Sequence, residues 1–421
     1  MLFSYCRPDG RSLGRLFAIA ALAGIVALGG CTPRPEAPAP APVAEAPPPP
    51  PVDEPAAPHQ LSADQPSFLR LPNLPAGTPV RVGVILPLSS SNAATRALAQ
   101  SMLKAAQLAV FDGGNSRLML MVDDEGNGGA PAAAAASRLL AQGAEIIVGP
   151  LFGASVSAVA PVARDRGVPV LAFSTEKGVA GKGAYLISFL PENEVGRVIS
   201  YAASRGHKDF AALVPRNAYG DLAADAMRAA VTAAGGRVVE VDPFLPTPAG
   251  ALEPAGKVAR SGADAVLVAQ GGPVLRAIAP TMNASPNMKT RIQLLGTGLW
   301  DDDALGREAA LEGGWYAAPE PNADAGFIAK YRAAFGVPPA NIASLAYDAV
   351  ALVALLSQGE PYHRFTRAAL MDANGFTGVS GAFRFRADGT SERGLAVLEV
   401  DRDGPKVIDP APRTFQQHRG S

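Results

Sequence analysis

Residues 144–155, AEIIVGPLFGAS, decide how the rest of the sequence is read. Ile146, Ile147 and Val148 form a short β-branched run, apolar on both faces, the pattern of a parallel strand buried between two helical layers. Gly149-Pro150 ends the run. Gly153 lets the backbone approach a ligand or a neighbour closely, and Ser155 can cap a helix running through Val156, Val159 and Val162. In an open α/β sheet, the crevice beyond the carboxyl end of such a strand is the usual ligand position, because the next helix presents unpaired N–H groups there. A tight βα connection with no ligand is the alternative reading of the same residues.

Working outward, residues 80–87 (VRVGVILP) read as a first buried strand, followed by a polar loop and a helix over 94–111. A second strand covers 118–123, then a glycine-rich turn over 124–129 and an alanine helix over 131–142, with Pro131 suited to a helix start. After the 146–148 strand come a helix to Arg166 and a fourth strand over 170–173. This alternation predicts right-handed βαβ units on a parallel sheet.

The pattern restarts after 185–188, with strands over 210–214, 237–241, 265–269 and 292–296 and helices between them. Two βα series of similar size predict an α/β architecture of two doubly wound parallel-sheet lobes around a cleft. Helices over 323–335 and 342–356 are expected to return to the first lobe, and 376–385 with 395–400 to form a hairpin-like pair around Asp388-Gly389. A chain that passes back and forth in this way makes a multi-strand hinge. The expected divisions are 79–193 with 318–375 for lobe 1, 194–317 with 376–410 for lobe 2, and a tail over 411–421.

The first 78 residues are of another kind. Arg7, Arg11 and Arg15 precede an apolar run over 16–28, about the length of a signal-peptide core and shorter than the ~20 residues of a spanning helix. Residues 1–30 are therefore expected to be a signal peptide. The run ends in Leu28-Gly29-Gly30-Cys31, similar to the lipobox of bacterial lipoproteins, which implies lipidation of Cys31 and a membrane anchor. Thr32 in place of Asp after the cysteine resembles an outer-membrane address facing the periplasm. Residues 32–78 are rich in Pro and Ala and read as a disordered tether able to span on the order of 100 Å.

Lys and Arg number 37 against 38 Asp and Glu, a formal net charge of -1, so no long-range field points to nucleic acid. With 48% hydrophobic residues the chain can bury substantial cores. The only cysteines, Cys6 and Cys31, precede the globular body, which therefore has neither a disulfide nor a thiolate site. His59, His207, His363 and His418 lack metal-ligand spacing, so no metal or cofactor is expected. Neither a nucleophile elbow, a zincin pair, a Walker loop nor a dinucleotide fingerprint occurs, which argues against an enzyme.

From 80 to 407 the sequence resembles the type I periplasmic binding proteins of the leucine-binding kind. The likeness is carried by VRVGVILPLS, by IIVGPLFGASVSAVAPVARDRGVPVLAFS, by Tyr219-Gly220 and by SLAYDAVALVALL. Within that superfamily, FLPENEVGRVISYAASRGHKDFAALVPRNAYGDLAADAM and FRFRADGTSERGLAVLEV are similar to the lipoprotein penicillin-binding protein activators.

The resemblance implies an amino-acid grip built from a serine and N–H groups after the third strand and a threonine after the fourth. It also implies a closing tyrosine and an acid for the ammonium. The implied cleft residues are Leu151, Phe152, Gly153, Ala154, Ser155, Ser174, Thr175, Tyr219, Gln270 and Asp301. Gly153 stands where the serine is expected, and Gln270-Gly271-Gly272 replaces a second tyrosine. The implied function is a non-enzymatic, periplasm-facing lipoprotein that activates a penicillin-binding protein or engages another envelope protein. The alternative is the substrate-binding protein of an ABC importer for an amino acid or related small solute.

Overall fold

In a computed structural model, the structure describes residues 67–69 and 79–415, except 115–116, 284–290, 303 and 361–362. The expected signal peptide, Cys31 and nearly all of the expected tether lie outside the described residues.

The first lobe begins with β1 (Ser67–Leu69), β2 (Val80–Leu86), α1 (Ala93–Asp112), β3 (Leu118–Asp124) and α2 (Gly129–Ala141). It continues through β4 (Ile146–Val148), α3 (Gly153–Arg164), β5 (Val170–Ala172) and β6 (Ala184–Leu186). The strands order as β1-β3-β2-β4-β5-β6, parallel except for β1. Because β3 and β4 lie on opposite sides of β2, the chain reverses direction across the sheet there, and a crevice opens at the carboxyl ends of β2 and β4.

The β4 residues are fully buried and alternate between two cores. Ile146 and Val148 join α1 and the later helices on one face, while Ile147 joins α2 and α3 on the other. Burial of such a side chain stabilises by roughly 2 kcal/mol, which is why an unbroken apolar run suits this position. Gly149 closes the strand with φ 92, and a Cβ there would strike the Ile85 carbonyl, so only glycine fits.

The second lobe contains α4 (Pro191–Ser204), β7 (Asp209–Pro215), α5 (Ala218–Ala233), β8 (Arg237–Phe244) and α6 (Pro248–Ala259). β9 (Ala265–Val268), α7 (Gly272–Asn283), β10 (Gln293–Gly296) and β11 (Trp315–Ala318) follow. β8 and β9 flank β7 on opposite sides, which sets the second crevice opposite the start of α5. α8 (Ala325–Phe335) and α9 (Ala343–Leu356) return to the first core, where Phe327, Tyr331 and Val350 pack with α1.

The carboxyl-terminal pairing differs from expectation. After α10 (Arg367–Leu370), β12 (Phe376–Gly378), β13 (Gly381–Phe385) and β14 (Ser391–Arg393) form a small antiparallel sheet of their own. Phe383 and Phe385 sit in the first-lobe core, not in lobe 2. The partner of 376–385 across Asp388-Gly389 is β14, whereas β15 (Ala396–Glu399) pairs antiparallel with β11 and then with β16 (Lys406–Asp409) in the second sheet. The chain thus crosses between lobes after β6, after β11 and between β14 and β15, which forms the hinge.

Candidate functional site

The mouth of lobe 1 is satisfied from within. Glu125, in the loop between β3 and α2, is fully buried, and its carboxylate accepts hydrogen bonds from the N–H groups of Leu151 at 2.9 Å and Phe152 at 3.1 Å. A carboxylate at the start of α3 is favoured by the helix dipole and by those unpaired donors. Burial nevertheless pushes the Glu125 carboxyl above the ordinary glutamate range, and the two N–H donors offset part of that rise. The Ser155 hydroxyl is fully buried close to the same carboxyl, short of hydrogen-bond geometry.

Gly153 is covered by a second acid, since a Cβ built there would fall on the Glu176 carboxyl. The Glu176 carboxyl occupies the space where a serine side chain at this position would start. Ala154 is exposed on α3, with its carbonyl turned toward Gly129. Ser174 is buried, and its hydroxyl accepts from the Glu176 N–H at 3.1 Å, which shapes the loop instead of facing a ligand.

A cleft of about 520 Å³ is lined by residues of both lobes and of the crossings between them. Of the sequence-predicted residues, Thr175, Tyr219 and Asp301 line it, and Leu151, Phe152, Gly153, Ala154, Ser155, Ser174 and Gln270 do not. Tyr219 is placed by the start of α5, where the Asn217 side chain accepts from the Gly220 N–H at 3.0 Å. Its hydroxyl pairs with the Thr297 hydroxyl at 2.8 Å. Burial and the neighbouring Glu194 both push the phenol well above its usual range, so it stays protonated.

Gln270 is held away from the lining, its carbonyl accepting from the Trp300 indole at 3.1 Å. Asp301 accepts from the Tyr316 hydroxyl at 3.3 Å.

Sequence reasoning missed Glu194, Ser344, Ser380, Glu320 and Asp324, all of which line the cleft. Glu194 lies in the first turn of α4, where an acid reads as an ordinary helix start, and its carboxylate accepts from the Gly298 N–H at 3.1 Å. Burial raises its pKa to about 7 against this single donor. Ser344 belongs to a helix whose apolar run hides one polar position facing the cleft. Glu320 lies in the Pro-rich crossing after β11, and Pro319 and Pro321 line the cleft beside it.

A family model described as periplasmic binding protein matches residues 79–405. No curated protein matches the chain in sequence. Among solved structures, it is similar to a Rhodospirillum rubrum protein assigned to branched-chain amino acid ABC transport. The TM-score is 0.67 at 19% identity, covering 78% of this chain and 100% of that one. It is also similar to an ABC-transporter solute binding protein of R. palustris in complex with benzoate, with TM-score 0.56, 18% identity, and 81% and 98% coverage. A branched-chain amino acid transporter substrate binding protein of Streptococcus pneumoniae in complex with isoleucine gives TM-score 0.54, 20% identity, and 79% and 100% coverage. At these identities the likeness establishes the fold.

Proposed function

The chain belongs to the periplasmic binding protein family, and we propose that it is the solute receptor of an ABC-type importer, holding a small molecule between its two lobes. The observation that carries this reading is the cleft of about 520 Å³, lined jointly by lobe 1, lobe 2 and the crossings. A pocket of this size accommodates a compact solute. Hinged crossings are the structural means by which such lobes close. The proteins of similar structure described above are all named for transport or solute binding, which also favours a receptor. The lining contains neither His nor Cys, and we assign no chemistry to it.

The lipobox at Cys31 and the proline-rich tether support anchoring to a membrane with the receptor facing the periplasm. They are also what favours the second reading, a lipoprotein that engages a penicillin-binding protein. A thermal-denaturation screen against amines, amino acids, aromatic acids and sugars tests the receptor reading. A solute at a hundred times its Kd adds about 2.7 kcal/mol of stability, and small-angle scattering in its presence should report a smaller radius of gyration. A screen with no stabilising solute, joined to enrichment of a penicillin-binding protein on cross-linking in the envelope, would replace the receptor with the second reading.

A further inference from the structure

The cleft carries one sign of charge. Glu194, Asp301, Glu320 and Asp324 line it, and no Lys, Arg or His does. Glu194, Glu320 and Asp324 make no ion pair among the described residues; Glu194 accepts from the Gly298 N–H and Glu320 from the Ala411 N–H. A metal ion does not account for them, since no group of three or more acidic, His or Cys side chains is placed to hold one among the described residues.

A second, independent observation points to a ligand. Ser344 is 2% exposed and Ser380 5% exposed, both line the cleft, and neither hydroxyl makes a hydrogen bond among the described residues. Both residues are buried as a whole while their hydroxyl oxygens stay reachable from the cleft, so each can accept from a solute donor. Phe189, Tyr219 and Phe327 add aromatic surface to the same lining.

No Lys, Arg or His lines the cleft to meet a solute carboxylate. The N–H groups at the start of α3 are occupied by Glu125, and Glu176 lies over Gly153. Arg393 is packed behind Phe189 of the lining, and its two terminal guanidinium nitrogens have no hydrogen-bond partner among the described residues. Its side chain is 1% exposed, its guanidinium lies over the rings of Phe189 at 4.4 Å and Phe383 at 5.3 Å, and it faces Asp348 at 3.9 Å. Bringing an anion into this lining therefore costs desolvation with no ion pair to offset it.

We propose that the solute is a small organic cation, an amine or guanidine without a free carboxylate, held with its charge at Glu194, its donors at Ser344 and Ser380, and its carbon skeleton against the aromatic residues. The claim rests on the receptor reading and narrows it to a substrate class. Cations are attracted to aromatic faces as well as to carboxylates, so the two parts of the lining act together. The raised pKa of Glu194 agrees with an acid that has yet to meet its counter-ion.

The test is calorimetry at pH 8 on the dialysed full chain, with n-butylamine, 1,4-diaminobutane and 4-aminobutylguanidine as cationic probes and leucine and benzoate as carboxylates. At least one cationic probe is expected to bind with a micromolar Kd, weakened tenfold or more by Glu194→Gln and several-fold by Ser344→Ala. Unchanged circular dichroism of the variants would separate loss of binding from loss of fold. Binding of leucine or benzoate with silence from every cation would overturn the cationic class and keep the receptor. Cation binding indifferent to Glu194→Gln would overturn the site. Silence from all probes would overturn the proposal, and with an empty solute screen the receptor reading as well.

Discussion

Glu125 accepts a hydrogen bond from the Leu151 N–H at 2.9 Å, so a side chain of the protein itself occupies the anion position at the start of α3. The crevice at the end of β4 is a structural junction between the β3–α2 loop and α3. Glu125→Ala is expected to destabilise the protein by about 1–3 kcal/mol, because it leaves the part-buried N–H groups of Leu151 and Phe152 without their acceptor. Urea unfolding reads this directly; a loss under 1 kcal/mol would show that water or another group takes over.

Gly153→Ser restores the hydroxyl that the leucine-type pattern expects. The new Cβ meets only the far end of Glu176, an exposed and flexible side chain, so the cost should be below about 1 kcal/mol. Leucine should still fail to bind the variant in calorimetry, because Glu125 keeps the neighbouring donors. Leucine binding gained by this one substitution would contradict that assignment.

Glu194 and Asp348 both hold their protons more tightly when folded. Burial raises Glu194 from 4.5 to about 7, with the Gly298 N–H opposing the rise. Burial likewise raises Asp348 from 3.8 to about 6, with Arg393 and the Val379 N–H opposing. Between about pH 4 and 7 the folded state therefore binds more protons than the unfolded state, and stability falls as pH rises through this window and levels off above it. Glu194→Gln removes its share. Relative to wild type, the variant should gain about 2 kcal/mol between pH 4 and pH 8, allowing for the partial exposure of the group at about 1.4 kcal/mol per pKa unit. Denaturant titrations at the two pH values, parallel for the two proteins, would contradict the raised pKa.

Asp348 joins the lobes' shared support. It accepts from the Val379 N–H at 2.7 Å and faces Arg393, which donates at 3.3 Å to the Ser188 carbonyl in the first crossing. Asp348→Ala leaves the guanidinium buried without its counter-charge and should cost about 3–5 kcal/mol. Arg393→Met with Asp348→Ala should recover part of that loss; a double variant no more stable than the single would mean the charge pair is not the origin of the cost.

The lobes were legible in the sequence because β-branched runs such as 146–148 are apolar on both faces, and only burial between two helical layers suits them. The carboxyl-terminal hairpin was misplaced because period-two alternation looks the same whichever strand is the partner. The choice of β14 for β13, and of β11 for β15, is made by distant edges. Glu125 was hidden for a related reason: it sits in a turn, and its role comes from a contact with Leu151 and Phe152 across a separate βα unit. Tyr219 was named through the resemblance that Tyr219-Gly220 carries, and the structure places it on the cleft, whereas Glu194 and Ser344 become cleft residues only when the crossings bring α4 and α9 to the same lining.

The account turns on which charge the cleft accepts, and a matched pair reads it most directly. Leucine and 3-methylbutylamine differ by one carboxylate, and their Kd values can be measured by calorimetry on the same preparation at pH 8. The account predicts that the amine binds at least tenfold more tightly than leucine. Leucine binding as tightly as the amine, or more tightly, would contradict it.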